Sequence, residues 1–197
     1  MKAKADIPEP KLIGYFAKLT IKRPDWLKAS LVEEICSASG CISGGDWDWI
    51  NEWRHNSEWV YDTPELAWGV VPESAQNECE LFAYQMFPVR FRKGVVEPYP
   101  LPPVAGSADF AFAPLPMDTS FERLGFDLVT RSCGNSFECS PLSCNHLAED
   151  IPVNRCCLLD TAEEAFTLAR TLEIPGQPMR GEPGPYHIVE VWRQRKA

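Results

Sequence analysis

Between Gly94 and Ser120 six prolines, at positions 98, 100, 102, 103, 114 and 116, deny the chain regular structure over an unusually long span. Proline has no backbone N–H to give to a helix or a central strand, and its ring fixes φ. A connection this long inside a compact domain points to a wrapping or lid-like loop over 94–120, with Phe110, Phe112 and Leu115 available to tuck it against the body. It also suits a boundary between two halves. We expect the strands on its two sides to share one sheet, which makes residues 1–197 a single domain.

The elements on either side follow from residue pattern. Residues 12–22 are rich in aromatic and β-branched types and stop at Arg23-Pro24, as a strand does. Asp25 can cap a short helix with Leu27, Leu31 and Ile35 on one face. Asp46 can cap another, carrying Trp47, Ile50 and Trp53, and Thr63-Pro64-Glu65 opens a third. Residues 80–92 read as a long strand in which Pro88 forces an edge or a bulge.

Beyond the proline-rich span, 124–131 reads as a strand and Cys156-Cys157-Leu158-Leu159 as a short apolar one. Asp160 caps a helix, with Glu163 three residues on, and its apolar period lasts to about residue 173. Tyr186 to Trp192 is the last strand, either closing a right-handed crossover or pairing antiparallel elsewhere. Strands mixed with short helices, without strict alternation, predict an α+β domain: a mixed or mostly antiparallel sheet with short helices packed on it.

The net charge of −9 opposes phosphate binding, which needs clustered cations, so no nucleic-acid partner is expected. No apolar run approaches the roughly 20 residues of a membrane helix, and the N-terminus lacks a secretory pattern. A cytoplasmic location and mostly reduced cysteines are the corresponding expectations.

One small duplication carries chemistry. Cys36-Ser37-Ala38-Ser39-Gly40-Cys41 and Cys139-Ser140-Pro141-Leu142-Ser143-Cys144 both read C-S-x-x-x-C. Two chelating pairs can present four thiolates to one zinc ion, so Cys36, Cys41, Cys139 and Cys144 form a candidate structural zinc site. His146 can stand in for a thiol, and Cys133 lies nearby in sequence. The spacing is loose for zinc, the pairs lie far apart in the chain, and free cysteine often serves as a small buried hydrophobe. Cofactor-free protein and zinc protein both remain open.

A thiol-dependent hydrolase or transferase is the second reading. Cys133, in Arg131-Ser132-Cys133-Gly134-Asn135, follows a strand and turns at glycine, and Arg131 can favour its thiolate. Cys133 or Cys139 would be the nucleophile and His187 the best-placed base. The third reading is a non-catalytic interaction or accessory protein, and it suits the chain best. Its polar surface would be centred on 131–146, with Arg131, Ser132, Asn135, Asn145 and His146 binding a protein partner or small ligand. Six of seven tryptophans fall between residues 26 and 68; Trp49 cannot share a helix face with Trp47 and Trp53, which leaves Trp49 for an interface.

Overall fold

The computed structural model describes residues 7–41, 60–101, 120–131, 137–174 and 183–195. In chain order its strands are β1 (Lys11–Leu19), β2 (Ile21–Lys22), β3 (Glu34–Ile35), β4 (Cys79–Met86), β5 (Val89–Arg92), β6 (Val95–Pro98), β7 (Phe121–Thr130) and β8 (Tyr186–Gln194). The α-helices are α1 (Pro64–Gly69) and α2 (Ala162–Thr171). Mostly antiparallel sheet with few, short helices is the architecture among the described residues.

The C-terminal strand is the centre of that sheet. β8 pairs antiparallel with β4 on one side and with β7 on the other, and β1 adds to the far side of β4. Strands from both sides of the proline-rich span therefore share one sheet, and the helix before β8 does not make a parallel crossover. Phe87-Pro88 interrupts the long strand read over 80–92. The ladder survives the break, because Phe87 N–H donates to Ile188 O (3.2 Å) and β5 regains β8 at Phe91 and Tyr186. Lys93 and Gly94 then adopt positive φ, the geometry of a two-residue hairpin turn, and β6 returns along β5. The irregular span thus begins later than the sequence implies; residues 102–119 lie outside the described part.

Alternation along the strands buries both faces. Tyr186 and Ile188 of β8 join Phe126 and Leu128 of β7 under Ala165, Phe166 and Ala169 of α2. Tyr15 and Ala17 of β1, Leu81 and Ala83 of β4 and Ala67 of α1 extend this side of the sheet. The opposite face packs Phe82, Tyr84, Met86, Val129, Val189 and Val191 against Cys36, Ala38, Phe137 and Cys156, which come from irregular segments.

Local signals explain the helices. Thr63 Oγ1 accepts from Leu66 N–H (3.2 Å), with Pro64 in the first turn of α1. The cap of α2 falls one residue beyond the expected Asp160 and Glu163, because Thr161 and Glu164 satisfy each other in a reciprocal capping box. The helix expected after Asp25 does not form. Leu27, Val32 and Ile35 are buried while Leu31 is 70% exposed, so these apolar residues do not share a helical face. Arg23 N–H donates to Glu33 O (2.9 Å) and β2 pairs with β3, which takes the chain into a two-stranded ribbon instead. Residues 156–159 are a turn with a single bridge, Phe126 to Leu159, and not a full strand; Cys157 has a φ of 61° there. The tryptophan-rich helix expected over 46–53 lies outside the described residues.

That bridge demands glycine in β7. Gly125 sits at a bulge opposite β8 with φ of 145°, and a Cβ there would lie 2.5 Å from Leu159 O. We predict that Gly125→Ala lowers unfolding free energy by about 2 kcal/mol or more in urea denaturation, through combined backbone strain and steric overlap.

Candidate metal centre

Both copies of C-S-x-x-x-C converge on one buried carboxylate. Asp127 of β7 is fully buried. Its Oδ2 accepts from Ser37 Oγ (2.6 Å) and Ala38 N–H (2.9 Å), and its Oδ1 accepts from Ser140 Oγ (2.6 Å) and Leu128 N–H (2.9 Å). The serine in the second position of each motif thus binds a different oxygen of the same side chain. Lys18 of β1 supplies the nearby positive charge. It is 2% exposed, its Nζ donates to Ser37 O, and it lies 4.7 Å from the centre of the Phe82 ring.

Burial pushes the Asp127 carboxyl up from its ordinary value, and Ser140, Ser37, Ala38 and Lys18 act against that rise. Burial lowers the Lys18 ammonium to about 8, opposed by the charges of Cys36 and Asp127. Each group is thereby costly alone and tolerable with its partners.

Further hydrogen bonds lay the two motifs side by side. Gly40 N–H donates to Phe137 O (3.2 Å), Ser39 Oγ donates to Glu138 O, and Cys41 N–H donates to Ser39 Oγ (3.1 Å). From β7, Thr130 N–H donates to Cys139 O (2.9 Å), while Glu138 N–H donates to Thr130 O (3.0 Å). Cys144 N–H donates to Ser140 O (2.8 Å), closing a helical turn that brings Cys144 back over Cys139.

The result is a sulfur cluster. Cys41, Cys139 and Cys144 have their Sγ atoms within 4.8 Å of one another, and Cys41 and Cys139 are 3.2 Å apart across 98 residues of chain. Three thiolates at about 2.3 Å from a tetrahedral zinc lie about 3.8 Å from each other. The donor set and its spacing therefore fit such an ion after a sub-ångström adjustment. Cys41 is exposed and the other two half-buried, so the cluster is open to solvent. Burial raises the Cys144 thiol, while Ser140 N–H and the Ser39 and Ser143 hydroxyls work the other way. No disulfide joins any of the seven described cysteines.

The fourth expected ligand is elsewhere. With Ser37 and Ala38 fastened to Asp127, Cys36 lies on the side of Glu34 and Cys156, and only Cys41 reaches the cluster. His146 is also outside the sulfur group. Its ring packs on Trp26, with centroids 4.8 Å apart, and its Nδ1 lies 3.2 Å from Glu149 Oε1.

Other expected site residues turn out to be interior. Arg131 is buried with its guanidinium 5.5 Å from the Tyr99 ring and 5.6 Å from the Phe137 ring, where it is a packing cation and not a surface group. Asn145 is half-buried, and its Oδ1 has no hydrogen-bond partner among the described residues. His187 is 1% exposed and meets Tyr99 edge-on at 4.6 Å. Trp49, Ser132, Cys133 and Asn135 lie outside the described residues. Sequence reasoning misses Lys18 and Asp127, whose signal is a charge flanked by apolar residues, Lys18 between Ala17 and Leu19 and Asp127 between Phe126 and Leu128.

No family model, no curated protein and no solved structure matches the chain, so the geometry alone bears on function.

Two predictions follow from these buried charges. Asp127→Ala leaves Lys18 without its nearby countercharge and both serine hydroxyls without their acceptor in the interior, and is expected to cost about 3–5 kcal/mol in urea unfolding. Burial, with Arg131 and Arg90 nearby, lowers His187 from 6.5 to about 3. Its imidazole stays neutral in the fold, whereas the unfolded chain takes up a proton below pH 6.5. Stability from this group is intact above that pH and is lost as pH falls toward 3. His187→Phe should flatten the acid limb of the stability curve, recovering about 2–3 kcal/mol of the drop between neutral pH and about pH 4.5.

Proposed function

We propose that this is a non-catalytic accessory protein whose Cys41, Cys139 and Cys144 thiolates hold a zinc ion at an open surface. The observation that carries the reading is the convergence of three sulfurs from two segments 98 residues apart in sequence. Zinc suits it by chemistry, since thiolates favour a borderline-soft ion and three of them leave one tetrahedral position for another donor. An overall charge of −9 also favours cation uptake. In this role the ion staples the segment after β3 to the segment after β7, and so fixes the exposed Gly40-Cys41 turn beside the half-buried Glu138, Cys139 and Cys144, the face against which a partner would dock; the rest of 137–146, expected as a polar surface, is mostly buried.

A thiol-dependent hydrolase or transferase using Cys133 or Cys139 has less support. Its best base, His187, is buried and held neutral, with a basicity far below that of a useful proton acceptor at neutral pH. Cys139 is itself drawn into the sulfur cluster.

Zinc content decides the matter. Protein purified without a polyhistidine tag should contain one zinc per chain by elemental analysis, and cobalt substitution should produce thiolate-to-cobalt charge-transfer absorption. Cys41→Ser, Cys139→Ser and Cys144→Ser should each lose most of the metal, whereas Cys79→Ser, remote in the core beside Leu81, should retain it. Metal-free wild type, or metal retained by all three single variants, would refute the proposal.

A further inference from the structure

The zinc reading leaves a second pair of thiols unused. Cys36 follows β3, and Cys156 lies in the turn between Asn154 and Cys157. Cys36 N–H donates to Cys156 O (3.1 Å), and the Glu33 and Glu34 N–H groups both donate to Arg155 O (2.8 and 3.1 Å). These bonds hold two segments side by side with both sulfurs and a Glu34 oxygen within 4.8 Å of one another.

A metal is poorly served there. Glu34 Oε1 accepts from Arg193 Nη1 (2.9 Å), and Glu80 (3.1 Å) and Glu122 (3.3 Å) hold the same guanidinium in place. An arriving cation would have to displace that guanidinium from Glu34. The Cys156 thiol donates to the same Glu34 oxygen (3.7 Å), while Arg193 and Arg155 draw Cys156 toward the thiolate.

Access differs between the two sulfurs. Cys156, itself 2% exposed, lines a cavity of about 370 Å³ with Glu122, Arg123, Leu124, Asn154 and Arg155. Cys36 is not part of that lining and is fully buried. Both cysteines are therefore buried, but only Cys156 belongs to the wall of a space large enough for a small molecule. This is the layout of an attacking and a resolving cysteine.

We propose that Cys156 and Cys36 form a redox-active dithiol that small hydroperoxides, admitted to the cavity in front of Cys156, oxidise stoichiometrically to a disulfide. The Cys156 thiolate attacks the terminal peroxide oxygen, the O–O bond breaks, and the leaving oxygen takes a proton to depart as water or an alcohol. Cys156 is left as a sulfenic acid. The Cys36 thiol then attacks that sulfur and gives up its proton, the hydroxyl leaves as water, and a Cys36–Cys156 disulfide forms. The sulfur pair gives two electrons and the peroxide takes them. The local charges agree with these roles. The Cys36 thiol donates to the Cys156 sulfur, and with Arg193 and Arg155 it lowers Cys156 below the ordinary thiol value against burial and Glu34. Cys36 itself is pushed far up.

The full chain, reduced and then treated with one equivalent of hydrogen peroxide, tests this by alkylation and peptide mapping. A peptide linking Cys36 to Cys156 is expected, and Cys156→Ser should abolish it. In Cys36→Ser, dimedone should trap a sulfenic acid on Cys156, an adduct lost when both residues are replaced. Should Cys36→Ser fail to fold, the wild-type linkage map still decides. Cys36 and Cys156 recovered unlinked after peroxide treatment would overturn the proposal. So would oxidation confined to Cys41 and Cys139, an outcome that leaves the zinc reading to its own metal analysis.

Discussion

The described structure depends on one buried carboxylate. Asp127 sits inside the sheet with both oxygens saturated by two serine hydroxyls and two backbone N–H groups. Burying an ionised carboxylate without partners costs several kcal/mol, and a buried ammonium costs as much. Asp127 and Lys18 offset each other only if Ser37 and Ser140 are delivered to the same place. The electrostatic demand of a core residue thereby dictates the path of two irregular segments. Specificity of this kind, and not added stability, is what such a network contributes.

The sulfur cluster is the outward consequence. Ser37 and Ser140 each occupy the second position of a C-S-x-x-x-C motif, and each is tied to one Asp127 oxygen. From the first anchor the chain runs four residues through Ser39 and Gly40 to Cys41, guided by bonds to Phe137 and Glu138. The second anchor follows directly on Cys139 and closes the turn to Cys144. Cys36 stands on the other side of its anchor and is committed to Cys156. The duplicated motif is therefore split between two centres with different electrostatics. One is open to solvent and rich in thiols; the other lies beside the Arg193 guanidinium.

Much of the secondary structure was legible because its causes are local. The start of α2, one residue beyond the expected Asp160 cap, the Thr63-Pro64 helix start and the break at Pro88 each depend on neighbours within a few residues. The misreadings share a cause as well. Leu27, Leu31 and Ile35 have helical spacing, yet pairing of β2 with β3 and burial of Val32 outweigh a marginal three-turn helix. Cys156 to Leu159 has the composition of a strand, but only Leu159 finds a bridge and Cys157 takes a positive φ. Arg131 and His187 read as available polar groups because sequence reports residue type and not depth.

The alternation that buries both sheet faces, the helix starts, the proline interruption and the two matching cysteine–serine motifs are written in the residues. These are properties of short stretches, where sterics and hydrogen bonding act between near neighbours. Which cysteines meet is a matter of the long-range fold. Cys41 and Cys139 are separated by 98 residues of chain, and no local preference sets their distance. It is set by Asp127, whose two oxygens need two donors that the fold must bring from far apart in the chain.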